Sequence, residues 1–419
     1  MRGWAVTGSW LDSDGTRDLN SQCDGFTATA RLDTPVAGGV LTLSGRYQDY
    51  DHGIRGPVTF ASETDRQSTQ STLGSLAWKR EGVSSRDTVR FGIWNEEYDF
   101  DYTDWAAAAQ HANADPTYLE AGWQHDFLME ATEVNVGIEL KRFEGDYDDT
   151  AMGSYSEEND ATAAYAQVQH RTGDCLLCGG ARLEDDDLFD SGPTWRVGAT
   201  RLLNDGKAGV WANYGTSFRA PTFNDMFFPG SGNADLLPET STGWEIGMWD
   251  TLDSGDSLEI VIFHNDYDDL IQWAPTEGGM WQPSNIGTAR THGIEVTLVR
   301  QISSRWYDEF GVSTLDFTTS GAPLLRRPRW QASATVGYNG KRDDVRLDAQ
   351  YVGRRWDAVG FANEKVEAYF VVDLSAQREI NDDTSAWLRA NNLFDQAYEA
   401  AAGYPSPGFM LVGGVTRDL

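Results

Sequence analysis

Apolar and polar residues alternate with period two in short segments along almost the whole chain. From Glu133 to Lys141, Val134, Val136, Ile138 and Leu140 fall on one side, while Glu133, Asn135, Glu139 and Lys141 fall on the other. The same period runs through Leu41 to Tyr47, through Ala332 to Tyr338 with Gln331, Ser333 and Thr335 opposite, and through Val345 to Tyr351 with Arg346, Asp348 and Gln350 opposite. The connections are long and short in strict turn, ten long and nine short, which gives twenty strands. Short ones carry hairpin residues such as Asp205-Gly206 and Asn339-Gly340. Long ones run near Leu11 to Asp24, Gln48 to Ser68, Glu97 to Thr117, Phe143 to Asp160 and Phe218 to Thr240. This rhythm predicts an all-β fold, a transmembrane antiparallel β-barrel between lipid and a wet lumen, with both termini on the short-turn side.

Aromatic residues cluster where such strands cross the membrane interfaces: Tyr47 and Tyr50, Trp94 and Tyr98, Trp211 and Phe218, Phe263 and Tyr267, Tyr351 and Trp356. They read as girdles rather than as stacking platforms for carbohydrate. A β-propeller would repeat a signature every 40 to 50 residues or so, and none recurs.

The chain has 419 residues, with no run of eighteen apolar ones and hence no transmembrane helix pattern. Its mean hydropathy of -0.49 fits a barrel, because half of each strand faces water. Sixty-five acidic against 33 basic residues give a formal charge of -32, which repels nucleic-acid phosphates and excludes that class of partner. The acid lies largely between strands and reads first as a solvating surface. Three cysteines exclude a disulfide framework; Cys175 and Cys178 form one C-x-x-C with no second pair, and read as ordinary strand residues. None of the six histidines stands beside a serine in a hydrolase motif, so an enzyme is not expected.

From Asn213 the chain reads N-Y-G-T-S-F-R-A-P-T-F-N-D-M-F-F, then G-N-A-D-L-L-P-E-T-S-T-G-W-E-I-G. Later come N-I-G-T-A-R-T-H-G-I-E-V-T from Asn285 and N-N-L-F-D-Q-A-Y-E from Asn391. These stretches resemble the signature of TonB-dependent outer-membrane receptors. The carrying residues are Phe218, Arg219, Ala220 and Pro221, then Leu236, Pro238 and Glu239, then Gly293 and Glu295, and finally Asn392, Leu393, Phe394 and Asp395. All are structural rather than catalytic; Pro221 and Pro238 sit naturally where a strand leaves the sheet, and Arg219 and Glu239 are placed to pair. Within the family the likeness is to cobalamin receptors, through P-L-L-R-R-P at Pro323 to Pro328 and Y-V-G-R-R-W-D at Tyr351 to Asp357.

The resemblance implies a receptor barrel in the outer membrane of a Gram-negative bacterium, with lipid, a scarce small nutrient and the TonB complex as partners. A corrinoid is the expected ligand and a ferric siderophore the alternative, with a passive porin or a barrel enzyme as readings of another class. The family barrel has 22 strands around an N-terminal plug. Residues 1–419 match from its third strand onward, so two strands, plug, TonB-binding segment and signal peptide are expected to be missing, and Leu419 stands where the family ends in an aromatic. Coupled uptake is not expected of such a chain alone. Cobalamin receptors of this kind bind calcium through aspartates of the first two loops, which points to Asp24 and Asp65. The acidic spacing of the first loop adds Asp12, Asp14 and Asp18 as hard oxygen donors suited to that ion. No other cofactor is implied.

Overall fold

The computed structural model describes residues 3–15, 20–58, 61–104, 108–190, 192–276, 280–320, 324–359 and 362–417. Asp18 and Pro323 lie outside them. Twenty strands form one sheet. The first ten are β1 (Gly3–Ser13), β2 (Cys23–Val36), β3 (Gly39–Gly53), β4 (Arg66–Glu81), β5 (Ser85–Thr103), β6 (Ala109–Leu128), β7 (Thr132–Asp149), β8 (Gly153–Thr172), β9 (Cys175–Asp186) and β10 (Thr194–Leu203). There follow β11 (Ala208–Arg219), β12 (Glu239–Thr251), β13 (Ser257–Asp268), β14 (Ala289–Gln301), β15 (Trp306–Thr319), β16 (Trp330–Asn339), β17 (Asp343–Val352), β18 (Tyr369–Asn381), β19 (Thr384–Asn391) and β20 (Met410–Arg417). Each pairs antiparallel with the next, in a continuous meander. Among the described residues β1 pairs only with β2 and β20 only with β19, so the sheet has a seam without a ladder. It nevertheless curls round: the Val58 amide, between β3 and β4, donates to the Gly403 carbonyl, between β19 and β20, at 2.8 Å.

One face of the sheet is an apolar belt. Trp4, Val6 and Trp10 lie in register with Leu32, Ala30 and Phe26, and the same row passes through Leu43, Leu76, Phe91 and Ala121 to Leu140. Trp4, Phe91 and Leu140 are exposed, as lipid contact requires. The opposite face is polar and faces the lumen. There Asp126, fully buried, meets Arg86 and accepts from Gln124 at 2.6 Å and Asn135 at 2.7 Å, while Glu139 and Glu184 both pair with Arg182. A charge taken from water is kept in place by such partners.

Two expectations need correction. The segments Glu97 to Thr117 and Phe143 to Asp160, expected as long loops, are mostly ladder: β5 and β6 pair up to Thr103 and Ala109, and β7 and β8 up to Asp149 and Gly153. Crossing the bilayer takes about 9 to 11 residues, so strands of 18 to 20 residues stand well clear of it. The girdle assignment also fails for part of its set. Tyr47, Phe218 and Tyr351 share the belt's face, but Tyr50, Trp94, Tyr98, Trp211, Phe263 and Tyr267 have the opposite parity and face the lumen, and Trp356 lies in a separate hairpin. A neighbour along a strand always points the other way. The short connection at Asn339-Gly340 is present as a turn through 340–342, with the Gly340 amide donating to the Asp343 carbonyl at 2.6 Å. Cys175 and Cys178 are free thiols three positions apart on β9, hence on opposite faces.

Candidate functional site

The extended part of β5 to β8 is patterned in reverse. From Tyr98 to Tyr102 the sequence is Y-D-F-D-Y, and the ladder sends Asp99 and Asp101 outward with Asn113 and His111 while Tyr98, Phe100 and Tyr102 line the inside. On β7, Phe143, Gly145, Tyr147 and Asp149 face inward as well. Water on both sides leaves aromatic rings free to serve something other than lipid.

What covers this wall is the segment after β11. Arg219 and Glu239 are the last paired residues of β11 and β12, and the guanidinium makes two bonds to the carboxylate, one from Nε at 2.9 Å. Glu239 also accepts from the Ile271 amide at 2.8 Å, tying in the hairpin Ile271–Pro275 and Trp281–Asn285. Ala220 and Pro221 then lead into a helix at Phe223–Phe227. Thr222 caps it: its hydroxyl accepts from the Asp225 amide at 3.1 Å while the Asp225 carboxylate accepts from the Thr222 amide at 3.0 Å. The other oxygen of buried Asp225 takes the Trp273 indole N–H at 2.7 Å. One carboxylate thus holds helix and hairpin together. Leu236 and Pro238 are both buried.

Rings from the wall and the cover interlock. Phe143 meets Phe223 at 4.7 Å, Tyr147 meets Phe228 at 5.4 Å and stacks on Tyr155 at 5.5 Å, and Phe228 meets Trp273 edge-on at 6.1 Å. The Tyr155 hydroxyl donates to the Asn224 side-chain carbonyl at 3.1 Å. Beside them lies a cavity of about 600 Å³ whose walls include Tyr98, Tyr118, Phe143, Tyr155, Phe189 and Phe223.

Polar side chains on its walls include Lys141, Asp146, Asn159, Glu184 and Asp186. Burial pushes the Asp186 carboxyl up from its ordinary value, although Asn159 donates to it at 3.0 Å and the Leu188 amide at 3.0 Å. Burial, then the bond to Glu96, pushes the Tyr98 phenol up to about 12. Asn159 Oδ1 is buried without a hydrogen-bond partner, an acceptor available to a donor on a bound molecule. Next to the cavity, Asp149 accepts from Tyr102 at 3.0 Å, Tyr147 at 3.0 Å and the Ala151 and Met152 amides at 2.7 and 2.9 Å. Burial would raise its carboxyl, but these donors outweigh that and hold it below its ordinary value. The arrangement offers flat apolar contact and a few fixed acceptors.

The aspartates expected to bind calcium are brought together only in part. Asp12 and Asp24 face each other across β1 and β2, and Asp51 follows in the same row on β3, already engaged by Arg66. Asp65 turns elsewhere: its carboxylate accepts from the Thr103 amide at 3.0 Å and its carbonyl from Ile54 at 2.8 Å and Asn20 at 2.8 Å. Asp14 is exposed beyond the end of β1. Among the described residues no group of three or more His, Cys, Asp or Glu is placed to hold a metal ion. Asp12 and Asp24 are the hard oxygen donors that the ladder itself sets side by side.

The other motif residues have structural settings. At Gly293 a Cβ would meet the Thr314 carbonyl and the Phe263 ring, so no side chain fits. Glu295 faces the lumen and accepts from Ser313 at 3.4 Å. Asn392 and Asp395 have φ of +49° and +52° and make a turn, with Asn392 Oδ1 accepting from Gln396 at 2.9 Å and Asp395 from Phe409 at 2.8 Å; the Leu393 amide meets the Val372 carbonyl at 2.7 Å, and Phe394 is exposed. The two stretches similar to cobalamin receptors meet in space: Arg326 Nε lies 2.8 Å from the buried Asp357 carboxylate, which also accepts from the Ala402 amide at 2.9 Å.

The wall, its cover and the cavity together form a vestibule, whose strands read as loops in the sequence. The signal was the aromatic and acidic alternation in Tyr98 to Tyr102, which a loop has no reason to keep.

Among solved structures, the fold matches the copper transporter OprC with TM-score 0.87 at 15% identity, covering 99% of this chain and 76% of that one. It also matches the pyoverdine outer membrane receptor FpvA from Pseudomonas aeruginosa PAO1 with TM-score 0.80 at 16% identity, covering 99% and 74%. The vitamin B12 transporter BtuB of Vibrio vulnificus is 32% identical over 69% of this chain and 46% of its own length. That of Photobacterium profundum is 29% identical over 87% of this chain and 59% of its own length. The chain thus spans about half the length of these curated relatives. The family described as TonB dependent receptor-like, beta-barrel matches residues 3–393, and the chain belongs to this family of Gram-negative outer-membrane proteins.

Proposed function

We propose that this chain is the barrel of a transporter that takes up a corrinoid by TonB-dependent, energy-coupled transport. The observation that carries the reading is the vestibule, with aromatic walls and fixed acceptors set inside a strongly acidic outer surface. A corrinoid is a large ring edged with amides, so it offers flat contact to Tyr155 and Phe223 and N–H donors to Asn159. An anionic ferric complex would approach carboxylates such as Asp99, Asp101, Asp146 and Asp148 and be repelled. The BtuB relatives support the same ligand. OprC and FpvA, at 15% and 16% identity, speak for the fold alone.

In this reading the residues bind and orient rather than react. The stacked Tyr147 and Tyr155 present a fixed face, and Asp225 and Glu239 set the position of the cover. The test is uptake of labelled cyanocobalamin by a receptor-deficient Gram-negative strain carrying these residues within a full-length receptor, with and without an uncoupler. Uptake of cyanocobalamin that requires energy is expected. Energy-dependent uptake of a ferric siderophore with none of cyanocobalamin would replace the corrinoid by a siderophore, and uptake indifferent to the uncoupler would leave a passive pore.

A further inference from the structure

The outward side of the β5 to β8 extension is strongly acidic, and an imidazole stands in it. Asp99 and Asp101 of β5, Asp115 of β6 and Glu144, Asp146 and Asp148 of β7 all take outward positions beyond the apolar belt. Carboxylates set directly opposite each other, as Asp115 and Asp146 are, repel and work against the ladder. At the tip the pattern changes. His111 of β6 lies opposite Asp101, with Nδ1 2.9 Å from Asp101 Oδ1 and Nε2 3.6 Å from Asp99 Oδ1. Asp148 of β7 adds its charge from the other side. Of the remaining charges nearby, Arg66 of β4 is engaged by Asp51, and Asp104 accepts from the Ala108 amide at 2.8 Å and from Gln110 at 2.9 Å.

The groups that meet His111 are joined to the vestibule through the backbone. Asp101 precedes Tyr102 and Asp148 precedes Asp149, and on the inner side Tyr102 and Tyr147 both donate to Asp149 at 3.0 Å. The main chain of His111 closes the same corner: its amide donates to the Thr150 hydroxyl at 3.0 Å and its carbonyl accepts from the Thr150 amide at 3.0 Å. One residue thus ties β5, β6 and the turn after β7 together, with its side chain on the outer face and its backbone at the edge of the aromatic wall.

We propose that His111 is a proton-operated staple of the vestibule, which holds the tips of β5 to β7 together while the imidazole is charged and lets them part when it is neutral. The bond to Asp101 holds the imidazolium above its ordinary value; burial opposes it, and the charges of Asp101, Asp99 and Asp148 add to it. Because the folded value is the higher one, the stabilisation is complete below the unfolded value of about 6.5 and is lost as pH rises through the folded value. Once the imidazole is neutral, the three carboxylates repel with no charge at His111 between them. The wall is ordered on the acid side of neutrality and loosens on the alkaline side. The effect on a ligand rests on the reading of the vestibule as the binding site.

The test is hydrogen exchange, read by mass spectrometry on the detergent-folded chain over peptides 98–104, 108–114 and 146–152, from about pH 5.5 to about pH 9, beside a cyanocobalamin titration. His111→Gln is neutral throughout and serves as the reference at each pH, so that intrinsic exchange cancels; His111→Lys keeps its charge across the range. At the acid end the parent should be about two- to fivefold better protected than His111→Gln, as fits half-exposed ion pairs, and at the alkaline end the two should be equal. His111→Lys should stay protected at both ends, and high salt should shrink every difference. Cyanocobalamin affinity should follow the same course. A parent whose protection keeps a constant ratio to that of His111→Gln overturns the staple. Protection that follows pH while cyanocobalamin binds equally at every pH overturns its link to the ligand. Protection that follows pH with no cyanocobalamin bound at any pH supports the staple and removes the corrinoid reading instead.

Discussion

Replacing Asp225 by alanine should open the cover of the vestibule without disturbing the sheet. The carboxylate accepts three bonds from outside its own residue: the Thr222 amide at 3.0 Å, the Thr222 hydroxyl at 2.7 Å and the Trp273 indole at 2.7 Å. A hydrogen bond to a charged group contributes about 1.5 to 3 kcal/mol, and loss of half a capping box about 1 kcal/mol. Not all of this is lost, because the freed Thr222 groups reach water once the segment lifts. A loss of about 3 kcal/mol for closing the helix onto the hairpin is therefore reasonable for the Trp273 bond plus the cap. If the closed cover is the binding-competent form, ligand affinity falls by up to about a hundredfold.

The assay is quenching of intrinsic fluorescence by cyanocobalamin in the detergent-folded chain, read beside Trp273 emission. In the variant, emission should shift to the red as the indole enters water, and the quenching midpoint should move to higher cobalamin. Asp225→Asn keeps one acceptor and should fall between. A red-shifted Trp273 with unchanged affinity would refute the link from cover to ligand, and unchanged emission would refute the hydrogen-bond argument itself.

Acid should loosen the wall at Asp149. Its folded carboxyl lies below the unfolded value, so its stabilisation is complete above about pH 4 and is lost as pH falls through the lower folded value; tyrosine emission of the parent should change over that window, and Asp149→Asn should remove the change. Removing Arg86 strands the fully buried Asp126 with only Gln124 and Asn135, so Arg86→Ala should cost about 3 to 5 kcal/mol in denaturant unfolding, whereas Arg31→Ala, at an exposed pair, should leave the unfolding midpoint nearly unchanged. Calcium binding, as implied by the family resemblance, should rest on Asp12 and Asp24: calorimetric heat should disappear in Asp24→Ala and persist in Asp65→Ala, and no heat in the parent would dismiss the ion.

Strand number and order were legible in the sequence because period two survives wherever one side of a strand meets lipid, as in Val134 to Leu140. Direction was harder. Trp211 and Tyr214 lie three positions apart, so only one can face lipid, and both are large and aromatic; the lumen accepts rings over glycine, as where Trp211 packs on Gly247. Composition therefore could not separate girdle from lumen, and parity counted from an unambiguous row such as Ile246, Ile262 and Ile294 was the missing step. The vestibule failed for a related reason. Beyond the bilayer both faces are wet, so hydrophobicity no longer marks a strand and acid-rich ladder reads as loop. What remains is alternation of kind, aromatic against carboxylate, in Tyr98 to Tyr102. The pair Arg326 and Asp357 shows the opposite case: two stretches that drew notice separately are one contact, and 31 positions of sequence separation gave no hint of it. Loops of such a receptor are assembled by long-range charge pairs and turns at left-handed residues, including Arg326 itself at φ +58°, and neither leaves a periodic trace along the chain.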